Sequence, residues 1–374
     1  MNPATERTAH GLGTEPVAAD WPALHERDIE QLLRDYPQLG PLQSLHWHSP
    51  RPFSAAGLIT TGHATLFVKR HHQQVRQAAW LEEEHRLISH LRGQGAPVAA
   101  LETNRHGATA TVLGPWTYEV HHLAPGQDLY RDALSWSPFQ STQHAQSAGL
   151  ALARLHQAAE NYTAPRRQTQ VLLANARLIE QPAPLDAIGN TPAFATYLAD
   201  KDWHAQLSAL LLPWHEPLQP LLAQQAPLWT HNDWHASNLL WHADGSVASV
   251  LDFGLADCTF ALYDLATALE RNSVPWLDLD SGGPARADLD SVDALLAGYR
   301  QVRPLSPQDL HTLSALLPLV HVDFALSEIA YYHNVVGSRS SADVAYYAYL
   351  LGHLRWFAGE QGQRLLNHLR RKTV

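Results

Sequence analysis

Apolar and polar positions follow two rhythms along this chain, a period of two early on and a period near 3.6 later. In ALHERDIEQLLRDYP, Leu24, Ile29, Leu32 and Leu33 fall on one helical face and Pro37 ends the run, which predicts a short amphipathic helix. LQSLHWHS, AAGLITT and ATLFVKRH follow, separated by the turn-forming PRPFS and GH, and predict three consecutive antiparallel strands, the third closed by Lys69. VRQAAWLEEEHRLISHLRGQG then places Leu81, Leu87, Ile88 and Leu91 on one side of a helix that stops at Gly93 or Gly95. ATATVL and WTYEVHHL complete a β-β-β-α-β-β unit, an antiparallel sheet with one helix. After APGQDL the pattern turns to long apolar helices: SAGLALARLHQAA, SPQDLHTLSALLPLV and SADVAYYAYLLGHLRWFAG. The second has Ser306 as N-cap, Pro307 in the first helical position and Asp309 in the first turn. The class is therefore α+β, with a flexible tail over residues 1–20, a first lobe over 21–121 and a mainly helical second lobe over 122–374.

Composition narrows the functional classes. A chain of 374 residues is more naturally two lobes than one core, and 45% hydrophobic against 17% charged residues is enough apolar surface to fold. The formal charge is −10, and no basic run exceeds the RRK near the C-terminus, so nucleic acid is not an expected partner. No stretch of about 18 apolar residues occurs, so no membrane span is expected. With a single cysteine, Cys258, and no apolar signal core in MNPATERTAHGLGTEPVAAD, the expected location is cytoplasmic. The 24 histidines form no HExxH or comparable ligand pattern.

One patch between the helices carries chemistry. In WTHNDWHASNLLW, Asp233 and Asn238 stand five apart, and the turn DGS at 244–246 lets LLW and VASVL pair as a hairpin. Such a hairpin returns Asp252, in SVLDFG, beside Asn238. Three oxygen-bearing side chains at one spot suit a hard divalent cation such as Mg²⁺ together with a base that orients a hydroxyl nucleophile. Singly, each is as well explained as a capping residue. As a set, H-x-D-x-x-x-x-N, a short hairpin and D-F-G in this order are specific.

HNDWHASN with LDFG resembles the phosphotransfer signature of the aminoglycoside phosphotransferase and choline kinase superfamily, small-molecule relatives of protein kinases. The resemblance runs from about residue 40 to about residue 270. It implies a protein-kinase-like two-lobed fold, with ATP or another nucleoside triphosphate and Mg²⁺ as cofactors. Carried over, Asp233 is the catalytic base, Asn238 and Asp252 hold Mg²⁺, and His231 opens the loop, with Asn232 where the family commonly has glycine. Lys69 corresponds to the lysine that meets the triphosphate, and its partner is Glu84, with Glu82 and Glu83 also open because a one-residue shift changes the helix face presented. SPRPFSAAG stands where phosphates would be covered: Ser54 and the backbone of Ala55 and Ala56 are donors there, or the segment is a plain hairpin turn. Adenine would be held by backbone groups from His122 to Ala124.

Only eleven residues separate Asp252 from Asp264, too few for a peptide-docking segment, so the acceptor is expected to be a small molecule. Asp264 either buttresses the loop, as in the family, or caps a helix. In LVHVDFALSEIAYYHNVV, Asp323, Glu328 and Tyr331 suit an amine on the acceptor or belong to a solvated helix face. Trp234 and Trp241 stack on the acceptor or simply pack; His235 has no assigned role. The expected function is transfer of the γ-phosphoryl group of ATP to a hydroxyl of an amino sugar, aminoglycoside-like, choline-like or homoserine-like acceptor. The alternatives are a kinase-fold regulator that binds nucleotide without turnover, and a protein kinase.

Overall fold

The computed structural model describes residues 8–10, 16–280 and 282–371. Two compact units divide the chain, one ending at Pro125 and the other beginning at Gly126. The tail expected over residues 1–20 lies partly outside the described residues; within it Thr8–His10 and Pro16–Ala18 pair antiparallel.

In the first unit, five strands form one antiparallel sheet. Leu42–His48, Ala55–Thr61, Thr65–His72, Trp116–His122 and Ala110–Leu113 lie in that order. Because side chains alternate along a strand, Leu66 and Val68 turn to one face and Phe67, Lys69 and His71 to the other. The first face meets the helix Glu26–Leu33, whose Ile29, Leu32 and Leu33 join Ala55, Ile59, Tyr118 and Val120 in the core. The opposite face carries Lys69, His71, Glu119 and His121. There the helix Ala78–Gly93 buries Leu81, Leu87, Ile88 and Leu91 together with Glu84 and His85.

The second unit is mostly helical, with two short ribbons set among the helices. Leu228–Thr230 pairs with Asp257–Thr259, and Leu239–Trp241 with Val247–Val250, both antiparallel. The residues between these strands, 231–238 and 251–256, are therefore held side by side. Ser306 caps the helix Pro307–Leu316 as the sequence predicts, accepting from Asp309 N at 3.2 Å while Asp309 accepts from Ser306 N at 2.8 Å. The helix predicted over SADVAYYAYLLGHLRWFAG is interrupted: Arg339–Val344 and Leu351–Ala358 are joined by the π-helical turn Ala345–Leu350. Tyr331–Val336 is a second such turn, and turns of this kind concentrate near functional sites. Among the described residues, no helix is long and apolar enough to cross a membrane.

Two glycines let the helices Thr142–Ala159 and Leu289–Arg300 touch backbone to backbone. A Cβ on Gly149 would stand 2.0 Å from the carbonyl oxygen of Leu295, and one on Gly298 would stand 1.9 Å from that of Gln146. This close approach lets Tyr299 Oη meet His156 Nδ1 at 2.9 Å. Gly298→Ala should therefore lower the melting midpoint by several degrees, since overpacking of this kind costs about 1–3 kcal/mol. Gly93→Ala should leave it unchanged or raise it, because a Cβ there meets nothing within 4 Å; scanning calorimetry of the two variants checks both.

Candidate active site

The segment after Leu228–Thr230 lies along one face of the helix Ala261–Ser273. At the start of that helix, the Asp264 carboxylate accepts His231 N and Asn232 N at 2.8 Å each, and His156 Nε2 donates to it at 3.0 Å. Two turns later, Asn272 accepts Ala236 N at 2.9 Å and donates to the Trp234 carbonyl at 2.8 Å. Spacing of seven and eight residues keeps Asp264, Arg271 and Asn272 on one side. Asp264 thus buttresses the loop through its side chain and does not cap its helix. Burial would raise its pKa, but the hydrogen bond and charge of His156 hold it below the ordinary carboxylate value.

Asn232 adopts a left-handed φ of 61°. That explains why asparagine can replace the family's glycine, since asparagine tolerates this region better than other side chains. Its amide oxygen accepts Thr230 Oγ1 at 2.7 Å and its nitrogen donates to the Leu255 carbonyl at 3.2 Å. The ring of His231, fully buried, donates from Nε2 to the Leu251 carbonyl at 2.8 Å and accepts Asp233 N at Nδ1 at 3.2 Å. Phe253 packs edge-on against it at 4.8 Å. The loop containing Asp233 and the loop containing Asp252 are thereby locked together.

Asp233 and Asn238 meet directly: Asn238 Nδ2 donates to the carbonyl and to Oδ2 of Asp233 at 3.0 Å each. Asp233 Oδ1 lies 2.9 Å from Arg271 Nη1, and Oδ2 lies 3.6 Å from His235 Nε2. Burial would raise the Asp233 pKa, but the charges of Arg271 and His235 outweigh it and hold the group well below the ordinary value. The carboxylate is therefore ionised throughout the neutral range. His235, without a role in the sequence, is placed here with Ser237 Oγ on its Nδ1 at 2.9 Å.

The hairpin returns as predicted, with Leu251 N donating to the Asn238 carbonyl at 2.8 Å. Asp252 follows, exposed and at a left-handed φ of 55°, with Oδ1 accepting Gly254 N at 3.2 Å. With the Asn238 amide nitrogen engaged by Asp233, its oxygen and the Asp252 carboxylate are the hard oxygen donors that could hold a cation. Mg²⁺ suits such a set, because it keeps several waters and completes its shell with phosphate oxygens.

One residue beside Asp233, Arg271, was not singled out in the sequence. Arg271, 3% exposed, sits over Phe324 at 5.0 Å and Trp136 at 5.3 Å. Its Nε has no hydrogen-bond partner among the described residues. Glu328 is fully buried, and among the described residues neither carboxylate oxygen has a hydrogen-bond partner. Burial pushes its pKa up to about 8, against the pull of Arg271 and with the push of Asp233. Asp323 faces elsewhere: its Oδ1 accepts Leu178 N at 3.1 Å, a structural tie. Tyr331 is fully buried against Tyr332. None of the three belongs to a solvated helix face. Trp234 and Trp241 are buried as well, Trp241 stacked on His144 at 4.5 Å, so neither is available to stack on an acceptor.

In the first unit, Lys69 lies in register with Ala56 on one side and Glu119 on the other. Among the three glutamates of the neighbouring helix, Glu84 is buried and Glu82 and Glu83 are half-buried. Ser54 is buried before its strand, while Ala55 and Ala56 lie inside that strand, paired with Arg70 and Lys69. His122 N is already bonded to the Ala100 carbonyl at 2.8 Å, and its ring pairs with Glu102. Ala124, half-buried, lies beyond the strand.

The Phosphotransferase enzyme family (APH) model matches residues 55–305, more than half of the chain. A homoserine kinase of Caulobacter sp. (strain K31) is 28% identical over 65% of this chain and 68% of its own length. Among solved structures, a microcompartment-associated aminopropanol kinase superposes with a TM-score of 0.62 at 18% identity, covering 93% of this chain and 99% of its own. The amicoumacin kinase hAmiN, solved with AMP-PNP, Ca²⁺ and Ami, superposes with a TM-score of 0.56 at 16% identity over 93% and 95%. Both share the protein-kinase-like fold of an antiparallel sheet followed by a mostly helical part. The chain belongs to the phosphotransferase enzyme family, and it is an ATP-dependent kinase that phosphorylates a hydroxyl group of a small molecule.

Proposed function

We propose that the acceptor is a small amino acid alcohol of the homoserine type, bound by Glu328 and Arg271 and activated by Asp233. The observation that carries this reading is the Glu328 carboxylate, fully buried with neither oxygen hydrogen-bonded among the described residues and with the charges of Arg271 and Asp233 acting on it. A buried acid without partners is costly, and an acceptor ammonium would complete it. Arg271, with its unpartnered Nε, offers a charge for a carboxylate on the same acceptor. A zwitterion with a hydroxyl meets all three groups, and the homoserine kinase similarity agrees with it.

In this reading Asp233 accepts the hydroxyl proton as the acceptor oxygen forms its bond to the γ-phosphorus and the bond to ADP breaks. A low pKa does not disqualify Asp233, because proton transfer to a positioned carboxylate is late in a loose phosphoryl-transfer transition state. Asn238 orients Asp233 through its amide nitrogen and, with Asp252, would hold Mg²⁺, which would neutralise phosphate charge. Lys69, positioned by Glu84, would meet the triphosphate, and Ser54 would add a donor to it. Backbone groups at His122 to Ala124 would hold adenine, of which the N–H of His122 is already engaged.

ADP release measured with Mg-ATP should be saturable with L-homoserine and with aminopropanol-type alcohols, and weak with alcohols of the same size that lack the amine. Equal turnover of the amine-free alcohols would overturn the role of Glu328. Asp233→Asn should lower kcat by about 10²–10⁴ with little change in the KM for ATP. Glu328→Gln should act on the other constant, raising the acceptor KM at least tenfold with kcat within a few-fold.

The pH dependence has a defined sign. An ammonium binds the ionised form of Glu328, so kcat/KM for the acceptor should rise with pH up to about 8 and level off there, and Glu328→Gln should flatten this limb. Stability moves oppositely. A folded-state pKa raised above the unfolded one favours the fold below the unfolded pKa, and that contribution is lost as pH rises through about 8. Melting midpoints of the free enzyme between pH 6 and 9 should fall less in the glutamine variant.

A further inference from the structure

Three histidines reach one carboxylate in the first unit. Glu119, 2% exposed, has His71 Nε2 on Oε1 at 3.0 Å, and both His85 Nε2 at 2.9 Å and His121 Nε2 at 2.8 Å on Oε2. The coordinating atoms of His85, Glu119 and His121 all lie within 4.8 Å of one another. We propose that these three residues are the protein ligands of a transition-metal ion of the zinc class, a site chemically distinct from the oxygen donors of Asn238 and Asp252.

Two imidazoles and a carboxylate are a recurrent zinc ligand set, and imidazole nitrogen selects zinc, cobalt or nickel over magnesium. With bonds of about 2.1 Å, ligand atoms in a tetrahedral shell stand about 3.4 Å apart. His85 and His121 stand 2.9 and 2.8 Å from the Glu119 oxygen, a little inside that spacing, and the whole set lies within 4.8 Å. The atoms turned away from the centre are held in the manner of metal sites. His85 Nδ1 lies 2.8 Å from Thr109 Oγ1, and His71 holds the second oxygen of Glu119. Such outer partners orient ligands and choose the tautomer. When His85 donates from Nδ1 to Thr109, its Nε2 presents a lone pair to the centre. The side chain of His121 keeps 15% of its surface exposed, which opens one side of the shell to an entering ion.

The position gives the ion a role. His85 follows Glu84 on the helix Ala78–Gly93, and Glu119 is opposite Lys69 across the sheet. An ion bound to His85, Glu119 and His121 would fix the helix carrying Glu84 to the strand that precedes residues 122–124. It acts as a structural clamp on the nucleotide-binding residues and takes no part in the transfer itself.

The test uses the full chain, stripped with a chelator and titrated with CoCl₂ without nucleotide. Visible ligand-field bands of four- or five-coordinate cobalt should grow to a single equivalent, be displaced by ZnCl₂ and be untouched by MgCl₂. Zinc should also raise the melting midpoint of the stripped protein by several degrees. His121→Gln, at the exposed side of the cluster, and His85→Gln should each lose the bands, while His106→Gln, on the surface of the same unit, keeps them. Stripped protein that develops no bands, or bands that survive in both cluster variants, would show that the histidines and Glu119 form a hydrogen-bonded cluster only.

Discussion

Asp264 is wholly buried, and its two oxygens accept the backbone N–H groups of His231 and Asn232 at 2.8 Å each while His156 donates to it at 3.0 Å. Hydrogen bonds to a charged group are worth about 1.5–3 kcal/mol each, and losing the acceptor would leave two buried N–H groups orphaned. Asn232 therefore stays at positive φ, and that turn aims the next residue, Asp233, at Arg271 and Asn238. The support reaches further back. His156 is in turn met by Tyr299 at 2.9 Å, from a helix that Gly149 and Gly298 let approach backbone to backbone.

Two carboxylates of the second unit respond oppositely to burial. Asp233 has Arg271 and Asn238 against it and is held ionised; Glu328 has no hydrogen-bond partner among the described residues and is pushed toward the neutral form. Environments that drive paired acids apart are a mark of divided roles. Here one is kept ionised. The other is left incomplete, which is the state that a cationic ligand can stabilise.

The sheet of the first unit divides its labour by pleat. Leu66 and Val68 enter the core against the helix Glu26–Leu33, while Lys69 and His71 turn the other way. Only on that second face can the histidines of two strands and a helix gather on Glu119.

Much of this was legible in the sequence, because the signals are local. The strand and helix order of the first unit, the cap at Ser306, the hairpin after Leu239 and the meeting of Asp233 with Asn238 all follow from periodicity and from spacings of a few residues. Arg271, Asn272, Glu328 and the cluster on Glu119 were decided only by tertiary structure. Arg271 is 38 residues from Asp233 and His85 is 34 from Glu119, and no short-range pattern relates residues so far apart. Burial is equally non-local: it turned Trp234 and Trp241 into core, and made Glu328 a buried acid where the helix alone allowed a solvated face. A side chain's chemistry follows from what surrounds it, and only the folded chain supplies the surroundings.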